Sequence, residues 1–495
     1  MSVMQAEKPK ASLPEPSLYA KHVKVQPRAV KGTVRTVKWA VLGLLLGLYY
    51  VAPWLRWNRG PGVPDQMFLA DLTNARLFIG PFEIWPQEIY YLVGLLILGA
   101  IGLFAVTSLF GRVWCGFTCP QTVWTDLFMW VERRIEGDRN ARIKLDNGPR
   151  DAAWWRKKVL KHAAWLGIAL ATGGAWVMYF VDAPTLVRDI VTFQASLTVL
   201  GFIALFTATT YVLAGAAREQ VCTYMCPWPR FQGAMLDPDS LVVTYREWRG
   251  EKRGKPTDPT AGDCVDCKAC VHVCPTGIDI RDGQQLECIG CGLCIDACDD
   301  VMGKLGRDKG LISFETLANL SASTAATAGM APGPQRNAVG MAARKPLHPA
   351  RPRVLIYAGV ITAVLALMLG SWFWRETLTL SVQPDRAPLF VRLSDGGIRN
   401  GYTLKLANKL RDDATLTLEI AGPAGLQVTV PDAPADPDGR PLLKTRPDAI
   451  ASYRAFITAP PSLRLPEHVD ITFRLLDSQG RVQASHSSAF QGPRP

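Results

Sequence analysis

Apolar and polar positions follow two different rhythms along this chain. Five runs are apolar at nearly every position: residues 39–55, 88–110, 161–181, 193–214 and 354–374. Each comes close to the roughly 20 residues that a helix needs to cross a bilayer, so five membrane spans are predicted. Pro53 sits near the end of the first, and Tyr49, Tyr50, Trp54 and Trp57 read as an interfacial aromatic belt. Beyond residue 375 the rhythm shortens to two. It shows in Tyr402-Thr-Leu404-Lys-Leu406, in Ala414-Thr-Leu416-Thr-Leu418-Glu-Ile420 and in Val469-Asp-Ile471-Thr-Phe473-Arg-Leu475. Gly- and Pro-rich turns separate these runs. Roughly seven short strands predict an immunoglobulin-like β-sandwich.

The polar stretches divide the rest. Residues 1–38 read as a flexible, membrane-proximal basic tail, and 39–235 as a four-span membrane domain. Residues 236–313 form a polar insertion, and 314–353 are dominated by a low-complexity linker rich in Ala, Ser, Thr, Gly and Pro. The fifth span, 354–374, leads to the β domain at 375–495. Residues 58–86 read as an exposed loop whose aromatic part, 78–85, lies in or re-enters the interface. The run Glu132-Arg133-Arg134-Ile135-Glu136-Gly137 reads as a solvated amphipathic helix at the membrane surface.

Charge orients the spans. The tail through Lys38 carries eight Lys and Arg, the loop 56–87 three, the loop 111–161 eleven and the loop 182–192 one. Arg344, Lys345, Arg351 and Arg353 precede the last span. The alternation of high and low places the N-terminus in the cytoplasm and the C-terminal domain outside. All 12 Cys lie between Cys115 and Cys298, on the side this assigns to the reducing compartment. The net charge of +12 therefore reads as cytoplasmic loops, and no nucleic-acid-binding signature accompanies it.

The insertion contains Cys264-Val-Asp-Cys267-Lys-Ala-Cys270-Val-His-Val-Cys274-Pro275 and Cys288-Ile-Gly-Cys291-Gly-Leu-Cys294-Ile-Asp-Ala-Cys298. Each run is C-x2-C-x2-C-x3-C, in which three thiolates hold one cluster and the fourth crosses to its neighbour. Cys264, Cys267, Cys270 and Cys298 are thus predicted to bind one [4Fe-4S] cluster, and Cys288, Cys291, Cys294 and Cys274 a second. Asp299 stands where the second run would usually carry proline. Structural zinc would use single four-ligand sets, and a disulfide framework would need an oxidising compartment.

Two further pairs stand apart: Cys115-Gly-Phe-Thr-Cys119-Pro120 after the second span and Cys222-Thr-Tyr-Met-Cys226-Pro227 after the fourth. The pattern of two helices followed by C-x3-C-P occurs twice, as in paired membrane repeats that build a site at their interface. Spacing of four puts both thiols on one face of a helical turn. Thiolates select Cu(I), zinc or iron–sulfur iron. A copper or redox-thiol site, a further cluster, and inert buried Cys at the membrane boundary all remain open readings. Met225 is a candidate thioether ligand, with packing as its alternative. Trp114, Trp124, Trp130 and Trp228 flank the pairs as expected interfacial anchors.

Histidine is scarce: His22, His162, His272, His348, His468 and His486. Only His162 sits at a span, so bis-His haem within the membrane is excluded. His272, between Cys270 and Cys274, reads as an outer residue rather than a ligand.

The combination of two C-x3-C-P pairs, a double four-Cys segment, a late span and a β domain resembles the FixG/RdxA/CcoG family of accessory proteins for cbb3-type cytochrome c oxidase. The likeness runs from about residue 30 to the C-terminus. The membrane half alone is also similar to the NapH and NosR proteins of nitrate and nitrous-oxide respiration. The resemblance implies a multi-pass protein of the bacterial inner membrane, with clusters in the cytoplasm and the β domain in the periplasm. It further implies a cupric reductase that produces Cu(I) for the oxidase. Cys115, Cys119, Cys222 and Cys226 would be its catalytic or copper-binding thiols, and the two [4Fe-4S] clusters its electron source. Implied partners are the bilayer, copper ions or a copper chaperone, oxidase subunits or assembly factors, and an electron donor that no motif identifies. The alternatives are a respiratory conduit passing electrons from quinol to a partner, and an assembly scaffold.

Overall fold

The computed structural model describes residues 24–60, 62–410, 412–447, 449–463 and 465–493. Residues 1–23 of the expected tail, including His22, lie outside them. The chain divides into two compact units, Met1–Ala366 and Leu367–Pro495.

The first unit opens with α1 (Thr33–Val51). The described part of the tail is docked rather than flexible. Arg28 N donates to His272 O at 2.8 Å and Ala29 N to Asp138 Oδ1 at 2.9 Å. Arg35 and Lys38, expected in the tail, already belong to the helix and are buried. The following loop folds into an antiparallel sheet of β1 (Phe68–Asp71), β2 (Arg76–Ile79) and β3 (Phe82–Ile84). Phe78 and Trp85 are buried in this cap, whereas Phe82 between them is exposed. Gln66 ties the cap down, donating to Met178 O at 2.6 Å and accepting from Ala183 N at 3.0 Å.

Next come α2 (Ile89–Phe110), α3 (Pro120–Glu136), α4 (Arg139–Asn147), α5 (Ala152–Val177), α6 (Ala183–Val191), α7 (Leu197–Thr210) and α8 (Trp228–Met235). A widened turn, 211–217, prolongs α7. Among the described residues, four helical segments are long and apolar enough to cross a membrane: Thr33–Trp54, Pro86–Phe110, Leu197–Ala217 and Pro352–Phe373. The expected span 161–181 is not among them. It falls in α5, where Arg156, Lys157, Lys158, Lys161 and His162 leave residues 163–177 as the uncharged helical stretch. This stretch lies flush against α7: a Cβ added at Gly173 would stand 2.8 Å from Ile203 O and Thr207 N. Small residues permit such close approach of helix backbones. Tyr49 and Tyr50 bond Thr172 of α5 instead of joining a belt, whereas Trp54 and Trp57 are exposed.

The ferredoxin-like part begins with β4 (Leu241–Tyr245), α9 (Glu247–Gly250), α10 (Ala269–Val273) and α11 (Leu293–Lys304). It is closed by β5 (Ile312–Thr316), antiparallel to β4. The stretch expected as linker is structured. It holds α12 (Leu317–Ala326) and α13 (Pro334–Ala342), joined where Ser323 Oγ donates to Gly340 O at 2.7 Å. Small side chains allow this, since Gly340 lies directly against the Trp248 ring. The last helix is α14 (Pro352–Phe373).

The second unit is the predicted sandwich, with nine strands in place of seven: β6 (Leu378–Pro384), β7 (Val391–Arg392), β8 (Ile398–Asn408), β9 (Ala414–Ala421), β10 (Gln427–Thr429), β11 (Leu442–Thr445), β12 (Ala449–Ala459), β13 (His468–Leu476) and β14 (Val482–Gln491). One sheet runs β10-β12-β8-β6 with β7 on β8, the other β11-β9-β13-β14. Alternate residues face inward: Tyr402, Leu404 and Leu406 of β8 meet Leu416, Leu418, Phe473 and Leu475 in one core. This apolar core holds the unit together without any cysteine.

Candidate functional site

The two C-x2-C-x2-C runs fold alike. Asp266 and Gly290 hold matching positions with φ of +50° and +68°, and Lys268 and Gly292 follow with +55° and +68°. Each loop thereby curls back and launches a helix that carries its third Cys, α10 or α11. Glycine occupies the second loop because it is hemmed in. A Cβ on Gly290 would stand 3.1 Å from Arg112 Cβ, and one on Gly292 2.9 Å from Val34 Cγ1.

Within each predicted ligand set the thiols lie near enough to influence one another. The Cys298 thiol, raised to about 12 by burial, also feels Cys270, Cys264 and Cys267. Cys288 is likewise raised to about 12 by burial, with Cys291 and Cys274 beside it. Cys274, Cys288, Cys291 and Cys294 line one small cavity, which Cys270 also touches. Four soft thiols around this space fit a [4Fe-4S] cluster, and the positive iron would stabilise the thiolates that burial disfavours. Arg281, itself buried, anchors the first loop through Asp266 at 2.5 Å and Asp279 at 2.6 Å.

Both C-x3-C-P pairs lie on turns opened to i→i+5 bonding. Cys119 N donates to Trp114 O at 2.8 Å, and Cys226 N to Val221 O at 2.7 Å. Such widened turns are rare and often mark functional sites. Pro120 then starts α3 and Pro227 caps α8. The four thiols form one neighbourhood. Burial pushes Cys115 up to about 12, and the charges of Cys119, Cys222 and Cys226 add to it. Cys222 is raised to about 12 by burial, with Cys119 and Cys226 next. Cys226 is exposed, with the exposed Tyr224 and Met225 beside it. Among the described residues no three Cys, His, Asp or Glu side chains stand close enough to share a single ion.

The first pair shares a wall with the second cluster loop. A Cβ on Gly116 would stand 2.9 Å from both Cys291 Cα and Gly290 O. Cys115 and Cys222 pack on the buried group that contains Cys291, Ile289 and Leu293. The Arg112 guanidinium donates to Cys288 O at 2.9 Å, to Pro229 O at 2.7 Å and to Leu286 O, joining the cluster loop to α8. Gln232 of α8, fully buried, accepts the Cys115 thiol at 2.9 Å.

Buried charges complete the site. Arg35 pairs with Asp126 at 2.7 Å, and Lys38 reaches the same carboxylate at 3.5 Å. The Lys38 charge favours the thiolates of Cys222 and Cys291. Glu132 and Glu136 are buried too, correcting the expected solvated helix. Glu132 meets Arg142 at 2.8 Å and Arg218 at 3.0 Å, and Glu136 meets Lys158 at 2.8 Å and Lys161 at 3.0 Å. His162 Nδ1 is hydrogen-bonded to the Tyr211 hydroxyl at 2.7 Å. Trp114 and Trp130 are exposed, as anchors would be. Trp124 instead donates to Thr172 Oγ1 at 2.9 Å, and Trp228 stacks on Phe104.

Sequence reasoning located all twelve thiols. It missed Arg35, Lys38, Arg112, Asp126 and Gln232, whose one signal is a charged or amide group within or beside an apolar run.

Three family profiles match the chain: a 4Fe-4S binding domain at residues 92–137, a 4Fe-4S dicluster domain at 217–317 and the IG-like fold at the C-terminal of FixG at 368–493. The chain is 49% identical over 473 residues to the nitrogen fixation protein FixG of Rhizobium meliloti, covering 92% of this chain and 90% of that one. It is 46% identical to the protein RdxA of Cereibacter sphaeroides, covering 96% and 99%, and 50% identical to RdxB of the same organism, covering 84% and 87%.

Proposed function

The chain belongs to the FixG/RdxA family of membrane-associated iron–sulfur electron-transfer proteins, and from that premise we propose that it reduces Cu(II) to Cu(I) at its paired C-x3-C-P thiols. The observation that carries the reading is the backbone contact of Gly116 with Cys291, which brings the thiol site against a cluster loop. Bound [4Fe-4S] clusters would supply single electrons. Cys264, Cys267, Cys270 and Cys298 would hold the distal one, and Cys274, Cys288, Cys291 and Cys294 the proximal one. Arg112 and Gln232 fix the thiol turn against that loop. Cys115, Cys119, Cys222 and Cys226 offer soft donors that favour Cu(I) over Cu(II). The exposed Cys226 and Met225 form the entry for the ion, which a copper chaperone would bring or remove. By family resemblance the Cu(I) serves assembly of a cbb3-type oxidase.

In this reading α5 is also a span, accompanying α7 with Lys158 and Lys161 neutralised by Glu136. Five spans then place the thiols in the cytoplasm and the β domain in the periplasm. Protease added to right-side-out vesicles should remove the β domain; its full protection would overturn the topology.

The activity is tested with the full chain, cluster-loaded and reduced by dithionite, using a Cu(I)-specific chromophore. Replacing Cys222 and Cys226 together by Ala should abolish rapid Cu(II) reduction while cluster absorbance persists. An unchanged rate would remove the thiols from the mechanism.

A further inference from the structure

A second site lies on the far side of Cys119. A cavity of about 400 Å³ opens between α1, α3, α5 and α7, lined by Tyr49, Pro120, Gln121, Trp124, Thr172 and Trp176 among others. Its size falls in the roughly 300–1,000 Å³ range of small-molecule sites. We propose that it binds a lipid-soluble hydroquinone, which reduces the protein. The proposal rests on the electron-transfer reading of the neighbouring thiols.

Four features select this occupant. The wall is mostly apolar and aromatic, and α1 and α7 are membrane-crossing helices, so the ligand comes from the bilayer. Trp124 and Trp176 offer flat faces for a ring. Gln121 gives the wall a fixed acceptor. Its Nε2 donates to Leu213 O at 2.7 Å and to Arg218 O and Thr125 Oγ1 at 3.2 Å. That locks the amide, and Oε1 accepts no hydrogen bond from the described residues, leaving it for a ligand hydroxyl. Finally, the lining residues Pro120 and Gln121 directly follow Cys119 in the chain, and Cys119 neighbours Cys115 and Cys222, which pack against the Cys291 group. An acyl chain would use neither the acceptor nor the redox neighbour.

The reaction balances as a two-electron oxidation. The hydroquinone loses both O–H hydrogens and becomes the quinone. Its two electrons leave one at a time, and the two [4Fe-4S] clusters, when bound and oxidised, would each accept one. The two protons leave to water, since the Gln121 amide accepts a hydrogen bond but not a proton.

The test is anaerobic stopped-flow reduction of the cluster-loaded full chain by decylubiquinol, read as bleaching of cluster absorbance. Wild-type clusters should be reduced. Gln121→Met, which keeps the shape and removes the acceptor, should slow the reaction about tenfold. Leu213→Trp, which fills the cavity, should block it. Dithionite should reduce both variants fully, which shows the clusters intact; if Leu213→Trp fails to load clusters, Gln121→Met decides. Clusters that stay oxidised in wild type, or an unchanged rate in Gln121→Met, would overturn the site. Cu(II) reduction by dithionite-reduced protein is measured alongside. Its failure with quinol reduction intact would remove the proposed copper activity and leave this site standing, and the reverse result would do the opposite.

Discussion

The carboxylate of Asp296, between two cluster cysteines, accepts the backbone N–H of Arg35 at 2.7 Å and so caps a membrane helix from 261 residues away. Its other oxygen accepts Val34 N at 3.2 Å. Gly32 permits the approach, because a Cβ there would overlap the Asp296 carboxylate. The first turn of α1 is thus satisfied by α11, which carries Cys294 and Cys298.

Asp296→Ala should leave those N–H groups unpaired and cost about 1–2 kcal/mol, as loss of an N-cap does. The expected result is earlier thermal loss of cluster absorbance. Asp296→Asn keeps an acceptor and should fall between the two. A melting profile unchanged in Asp296→Ala would separate cluster stability from α1 docking.

Lys38→Met should shift the potential of the cluster at Cys291 negative by tens of millivolts, since a nearby positive charge stabilises the reduced, more negative form. Asp126 would keep Arg35 as its partner. Lys38→Arg should restore the potential. EPR-monitored redox titration gives the answer, and equal potentials in all three proteins would place Lys38 outside the electrostatics of the cluster.

Much of this was legible in the sequence, for physical reasons that differ by region. The dicluster segment was readable because cysteine spacing dictates how each loop curls, as the matched φ angles at Asp266 and Gly290 show. The sandwich was readable because one buried face imposes period two, as in Tyr402, Leu404 and Leu406. What escaped was pairing at a distance. Glu132 and Glu136 look solvated until Arg142, Lys158 and Arg218 arrive from other helices. Residues 314–353 look like a linker because Ala and Ser carry little hydrophobic signal, yet their small size lets α12 and α13 pack. The third expected span, 161–181, depended on Lys158 and Lys161, whose partners no local window contains.

Glu132 makes a pH prediction. Burial disfavours its charge, but Arg218, Arg142 and Lys161 outweigh this and lower it from 4.5 to about 2. A depressed carboxylate stabilises fully above its unfolded value and loses that stabilisation as pH falls through the folded one. The packing of α3, α5 and the turn after α7 should therefore hold above pH 4.5 and weaken progressively toward pH 2. The term is on the order of 3 kcal/mol. Trp165, flanked by Lys161 and Arg218, reports it by fluorescence. Glu132→Gln should cost about 3–5 kcal/mol by leaving buried cations uncompensated, and should flatten the acid transition. An acid transition identical to wild type would exclude Glu132 as its source.

Gly116 tests whether contact between the thiol turn and the cluster loop sets the rate. An alanine Cβ would meet Cys291 Cα and Gly290 O at 2.9 Å, and both atoms are backbone held by their own ligand loop. Neither can swing aside as a side chain would, so the two loops must separate. Gly116→Ala should then leave both clusters bound, because no ligand is altered, yet slow Cu(II) reduction by the dithionite-reduced protein. Gly167→Ala on α5, with nothing within 4 Å of its added Cβ, is the matched control and should behave as wild type. If Gly116→Ala reduced copper at the wild-type rate with clusters intact, electrons would have to leave the proximal cluster by a route other than the Cys115 turn.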